Sequence, residues 1–89
     1  EAMPADGWKN YNIYLANNIR LPDPASLHKM GSVDFIFTVD LYGRLSDFKI
    51  LQSTCPLCNK EAIRLIKDGP PWKLPEGAQS RQVSITIQF

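Results

Sequence analysis

The residues best placed for chemistry are Cys55 and Cys58, the only two cysteines, in the run Cys55-Pro56-Leu57-Cys58. That C-x-x-C spacing is the spacing of dithiol exchange. A helix starting at the motif lowers the pKa of the first thiol, and the second thiol resolves the mixed disulfide. The same two sulfurs and His28, the single histidine, are the only soft or imidazole donors for a metal. Structural zinc takes four ligands, so this is half a site at best. His28 stands beside Lys29 and reads as an exposed loop side chain rather than a catalytic base. Asp34, Asp40 and Asp47 lie on or next to an alternating segment with Arg44 and Lys49, the pattern of a solvated face. No Ser-His-Asp set, glycine-rich phosphate loop or metal-spaced triad accompanies them. The inventory points away from an enzyme and implies neither a metal nor a cofactor.

The elements that would position these residues follow from hydrophobic period. Trp8, Tyr11, Leu15 and Ile19 recur at three- and four-residue steps and predict a helix, with Asp6 as its N-cap and Pro22 and Pro24 beyond its end. Val33, Phe35, Phe37 and Val39 then alternate with polar residues, broken only by Ile36. Leu41-Tyr42-Gly43-Arg44 reads as a hairpin loop, and Leu45 to Gln52 as a return strand with Phe48 and Ile50 inward. A second helix is expected over about Cys58 to Lys67, with Ala62, Ile63 and Ile66 as its stripe, capped by Asn59 and ended by Gly69. Val83, Ile85, Ile87 and Phe89 close the chain as a third strand. Pro70-Pro71 leaves the second helix extended and makes Trp72, like Trp8, a lid over the core.

Helix, strand, strand, helix, strand restricts the topology. The third strand runs parallel to the second, so it pairs antiparallel with the first. The expected fold is α+β in two layers, with a three-stranded antiparallel sheet of order 2-1-3 and both helices on one face. With 89 residues this is one small domain with a thin core. Ten Lys and Arg against nine Asp and Glu leave a net charge of +1, which excludes the basic face of a nucleic-acid binder. No apolar run reaches membrane-spanning length. Met3 lies inside the chain and residues 1–6 carry no signal-peptide pattern, so they read as the tail of a domain excised from a longer protein.

Function enters at the sheet edges. The second strand carries Arg44, Asp47 and Lys49, charges that discourage pairing with another chain. The third strand, Gln82, Val83, Ser84, Ile85, Thr86, Ile87, Gln88 and Phe89, carries no charge and no proline. Such an edge can receive an added strand. It can equally be covered by an upstream segment or a second copy of the chain, so a homodimer stays open.

Taken in order, the chain resembles the C-terminal domain of TonB, the periplasmic energy transducer of Gram-negative bacteria. The resemblance runs through Gly7-Trp8, Tyr11, Tyr14-Leu15 and Asn18, then Leu21-Pro22-x-x-Ala25 and Gly31-x-Val33. It continues through Phe35-x-Phe37-x-Val39-Asp40-x-x-Gly43-Arg44-Leu45-x-Asp47, Glu61-Ala62-Ile63, Pro71-Trp72-x-x-Pro75 and the terminal strand. Leu21 where the family usually has Tyr, and the Cys55–Cys58 motif, depart from it. The resemblance implies a periplasmic domain tethered to the inner membrane by a segment absent from this chain, coupled there to proton-driven motor proteins. It implies that the last strand grips the TonB box, an N-terminal peptide of outer-membrane receptors, by strand addition during nutrient uptake. Similar domains are also fused to other envelope proteins, sensors and peptidases among them, where they serve as accessory modules. In an oxidising periplasm Cys55 and Cys58 read as a structural disulfide, beside the alternative of a reduced pair packed as small apolar residues. The motif also resembles the redox site of thioredoxin-like proteins, but the preceding strand alternates where theirs is central and apolar, and one further strand is too few for that fold.

Overall fold

The computed structural model describes residues 2–20 and 31–89. In chain order it contains β1 (Met3–Pro4), α1 (Gly7–Asn18), β2 (Ser32–Asp40), β3 (Leu45–Ser53), a 3-10 turn (Pro56–Cys58), α2 (Asn59–Lys67), β4 (Trp72–Lys73) and β5 (Ser80–Gln88). The fold is α+β. Its main sheet is antiparallel with order β3-β2-β5, the 2-1-3 order expected from the alternation, and a second sheet pairs β1 with β4.

The central strand shows why. Val33, Phe35, Phe37 and Val39 of β2 are completely buried, while the residues between them stay partly open to solvent. Period-two alternation puts all four on one face, where they meet Tyr11 of α1 and Ala62, Leu65 and Ile66 of α2 in one core. Each buried Val, Leu, Ile and Phe among them contributes roughly 1.5–3 kcal/mol on burial. Trp72 closes the core at 4% exposure, with ring centroids 5.0 Å from Tyr11 and 5.2 Å from Phe37. It is the lid that its place after Pro70-Pro71 predicts.

The hairpin between β2 and β3 is tied by Asp40. Its carboxylate accepts from the backbone N–H of Tyr42 and of Arg44, each at 2.8 Å, and from Arg44 Nε at 2.9 Å. The Arg44 N–H above all, with the Arg44 guanidinium and the Tyr42 N–H, holds this carboxyl below its ordinary pKa. Gly43 takes φ +77, and a Cβ there would stand 3.3 Å from the Trp72 carbonyl oxygen. Asp40 is therefore a turn-former more than one of three carboxylates on a solvated face.

Several local expectations are corrected. Asp6 holds the expected N-cap position of α1, though its side chain makes no capping bond, whereas Asn59 is not a cap but the first residue of α2 itself. The 3-10 turn takes up the chain ahead of α2, so Cys58 holds the cap position. The buried stripe of α2 includes Leu65, with Ile63 only half-buried. Gly69 follows α2 without a positive φ; what it supplies is room, since a Cβ would lie 2.7 Å from the Tyr14 ring. That ring crosses to α2, where Tyr14 Oη donates to the Leu65 carbonyl at 2.6 Å. Trp8 is not a lid. It is 41% exposed in the first turn of α1, and its ring meets Trp72 and Tyr11 in T-shaped contacts, at 5.6 and 6.2 Å between centroids. Residues read as a tail are built in: Met3 and Pro4 pair with Lys73 and Trp72, and Ala5 N–H donates to the Pro71 carbonyl at 2.9 Å. His28 and the Leu21-Pro22-x-x-Ala25 segment lie outside the described residues.

Candidate peptide-binding edge

The two edges of the main sheet are built differently. Along β3 the register with β2 shifts twice, between Asp34 and Phe35 and again between Ile36 and Thr38. Extra residues on β3 form bulges, and Asp47 in the second takes φ 56. Along β5 the register is unbroken from Ser32↔Gln88 to Asp40↔Ser80. The strand begins two residues before the expected Gln82 and carries one charge, Arg81, at its start.

The direction of each backbone group on β5 follows from the register. Phe89 N–H donates to the Gly31 carbonyl at 2.8 Å, which makes that pair a hydrogen-bonded one. Antiparallel pairs alternate. The odd residues Val83, Ile85 and Ile87 therefore turn their N–H and C=O toward β2, and the even residues Gln82, Ser84, Thr86 and Gln88 turn theirs outward. Both Ser84 and Thr86 point outward, because residues two apart on a strand share an orientation. Among the described residues nothing pairs with this outer row.

Side chains divide by the same parity. Val83 and Ile87 are buried and Ile85 half-buried on the core face, while Gln82, Ser84, Thr86 and Gln88 lie exposed on the open face. There Thr86 Oγ1 donates to Asp34 Oδ1 at 2.6 Å across a non-hydrogen-bonded pair, where side chains approach most closely. The bond fixes the Thr86 side chain against β2 and leaves its backbone N–H on the edge. The Asp34 contact was hidden in the sequence, since only the register reveals which residue faces Thr86.

The other candidate residues lie away from this edge. Cys55 and Cys58 are joined by a disulfide, with their Cα atoms 5.2 Å apart, and both are buried where β3 runs into α2. The neighbouring Thr54 holds the start of β2: its N–H donates to the Ser32 carbonyl at 3.0 Å and its Oγ1 accepts from Ser32 N–H at 2.9 Å. Among the described residues no three His, Cys, Asp or Glu side chains cluster as metal ligands would. No helix among them is long and apolar enough to cross a membrane.

An ion pair within α2 hydrogen-bonds to the end of α1, and it went unnoticed in the residue pattern although Glu61 and Arg64 stand at i,i+3. Arg64 grips Glu61 with Nε at 2.6 Å and Nη2 at 2.7 Å, and also donates to the Asn18 carbonyl at 3.1 Å. Glu61 Oε2 accepts from the Arg20 N–H at 2.7 Å. The Arg64 guanidinium holds the Glu61 carboxyl below its ordinary pKa against the opposing effect of burial. The pair thus clamps the C-terminal end of α1 to α2. In the core, burial pushes the Tyr11 phenol up to about 12; the nearby Trp72 indole opposes the rise and Tyr14 adds to it. Neither Tyr11 Oη nor Trp72 Nε1 has a hydrogen-bonding partner among the described residues.

No protein-family model, curated protein or solved structure matches this chain.

Proposed function

We propose that this chain is a peptide-binding domain that captures an extended segment by strand addition to β5, in the manner of the TonB C-terminal domain that its sequence resembles. The observation that carries the reading is the unbroken β2–β5 register, which leaves the N–H and C=O groups of Gln82, Ser84, Thr86 and Gln88 in one straight outward row. A peptide laid along that row exchanges backbone hydrogen bonds each worth about 0.5–1.5 kcal/mol net. Less the cost of ordering the peptide, this gives an affinity in the micromolar-to-millimolar range. Such binding suits a transducer that releases its receptor after each cycle. In this reading the domain works in the periplasm, tethered to the inner membrane and its proton-driven motor proteins through a segment outside this chain, and takes the TonB box of an outer-membrane receptor. An accessory module on another envelope protein would use the same edge on a different peptide.

The test is an amide NMR titration with a peptide spanning the TonB box of a receptor. Shifts are expected along Gln82 to Gln88 and at the β2 residues paired with them. Shifts confined to β3 or to the Cys55–Cys58 turn, with β5 silent, would overturn strand addition.

A further inference from the structure

The backbone row of β5 accepts any extended chain, and the one charge set behind it decides which. We infer that Asp34 is the specificity-determining residue of this edge, and that it selects a strand carrying Lys or Arg opposite Thr86; this selection rests on the strand-addition reading above.

Asp34 stands on the open face of the central strand, opposite Thr86 of β5 and Gln52 of β3. Its Oδ1 accepts from Thr86 Oγ1 at 2.6 Å, which ties the carboxylate to the β5 side of the sheet. Among the described residues no cation answers it, since the ion pairs lie at Asp40, Glu61 and Asp68. Lys49, which the register brings to the same face, opposes Ile36 and makes no ion pair. The position is singular along the edge. A long side chain reaching inward over Gln88, Thr86, Ser84 or Gln82 meets Ser32, Asp34, Ile36 or Thr38 respectively. Only one of those four carries charge. Arg81 at the start of β5 disfavours a cation at that end.

The distances permit the contact. In a peptide added antiparallel, the residue opposite Thr86 forms a hydrogen-bonded pair with it, Cα atoms about 5.5 Å apart, while Thr86 and Asp34 form a closer pair at about 4.5 Å. The incoming Cα therefore stands about 10 Å from that of Asp34. A Lys stem carries its ammonium about 6 Å from Cα, and an Asp oxygen lies about 3 Å from its own. A charge-assisted bond of about 2.8 Å closes the remainder. Only Thr86 lies between. Its hydroxyl is engaged with Asp34, and its methyl supports the aliphatic stem. On the core face the same peptide flanks the half-buried Ile85 and takes apolar residues. The ligand class is thus an alternating segment, apolar on one face, with a cation on the other. The pair is exposed to solvent, so it adds about two- to fivefold in affinity and is screened by salt. A carboxylate in the same place loses about as much, so Lys and Glu differ roughly tenfold.

The experiment is an amide NMR titration with three short, end-capped peptides of alternating valine and threonine, identical except at one central threonine position. That position carries lysine, norleucine or glutamate. The native chain is expected to bind them in that order, with the lysine preference shrinking as salt is raised. Asp34→Asn keeps an oxygen that accepts from Thr86 and removes the charge, so it is expected to bind all three alike. Asp34→Lys is expected to invert the order and favour glutamate. Equal affinities on the native chain, or a lysine preference that survives in Asp34→Asn, would overturn the inference. The norleucine peptide separates the two readings. If it shifts the β5 amides while lysine adds nothing, strand addition stands and the role of Asp34 falls. If none of the three peptides shifts β5, both fall together.

Discussion

The two edges of this one sheet share a central strand and differ in almost everything else. β3 is bulged twice, carries charge, and is tied at its start by Asp40 and at its end by the buried disulfide. Lys67 of α2 reaches over its Phe48 ring at 5.2 Å. β5 is straight, uncharged after Arg81, and keeps its neighbours on one side only among the described residues. The difference teaches that an edge is protected by irregularity and charge rather than by length, since β3 and β5 have nine residues each.

That contrast can be broken from below, through the core that both edges share. Trp72→Ala removes the lid over Tyr11 and Phe37 and is expected to cost about 3–5 kcal/mol, a large share of the stability of so small a domain. Chemical denaturation reads the loss. The folded fraction that survives should still bind peptide at β5, because no outward group is touched. An unchanged denaturation midpoint would return Trp72 to the surface.

Ser84→Pro acts on one edge only. It deletes an outward N–H that no neighbour among the described residues uses, and it obstructs an incoming strand. Peptide-induced shifts along β5 should disappear while the melting temperature stays near that of the native chain. Retained binding would place the peptide elsewhere.

Reduction of Cys55–Cys58 sharpens the other side. The loop they close is very short, so the stability lost should be about 2 kcal/mol or less. Amide shifts on reduction are expected at the end of β3 and the start of α2, with β5 unmoved. Intact mass before and after treatment confirms that two hydrogens were gained. Shifts that spread along β5 would show the edges to be coupled.

The smallest expected effect is a local one of pH. The depressed Asp40 carboxyl stabilises the hairpin above the ordinary carboxylate pKa, and this contribution is lost as pH falls through the lower folded value. The Tyr42 and Arg44 amides should therefore titrate below the ordinary Asp range, while those of Gln82 and Ser84 stay flat. Titration at or above the usual Asp value would mean that the Asp40 hydrogen bonds do not hold in solution.

How much of this was legible beforehand depends on the distance over which each feature is decided. The alternation of Val33 to Val39 and of Val83 to Phe89 and the stripe of Tyr11 and Leu15 are local, and the order of elements they define yields the sheet order β3-β2-β5. So is the absence of charge from Gln82 onward, which marked the candidate edge. The cap at Asn59 was misjudged, and Asp6 took its cap position without a side-chain bond, because capping depends on backbone angles that residue type only biases, and a 3-10 turn displaced the start of α2. Tertiary packing decided what no spacing encodes. It paired Met3 and Pro4 with β4, gave Gly69 its role beneath Tyr14, clamped α1 to α2 through Glu61 and Arg64, and set Thr86 against Asp34. It also aimed both Ser84 and Thr86 outward, because the outward side of a strand is defined only by the neighbour on its inner side, and that neighbour lies some fifty residues away along the chain.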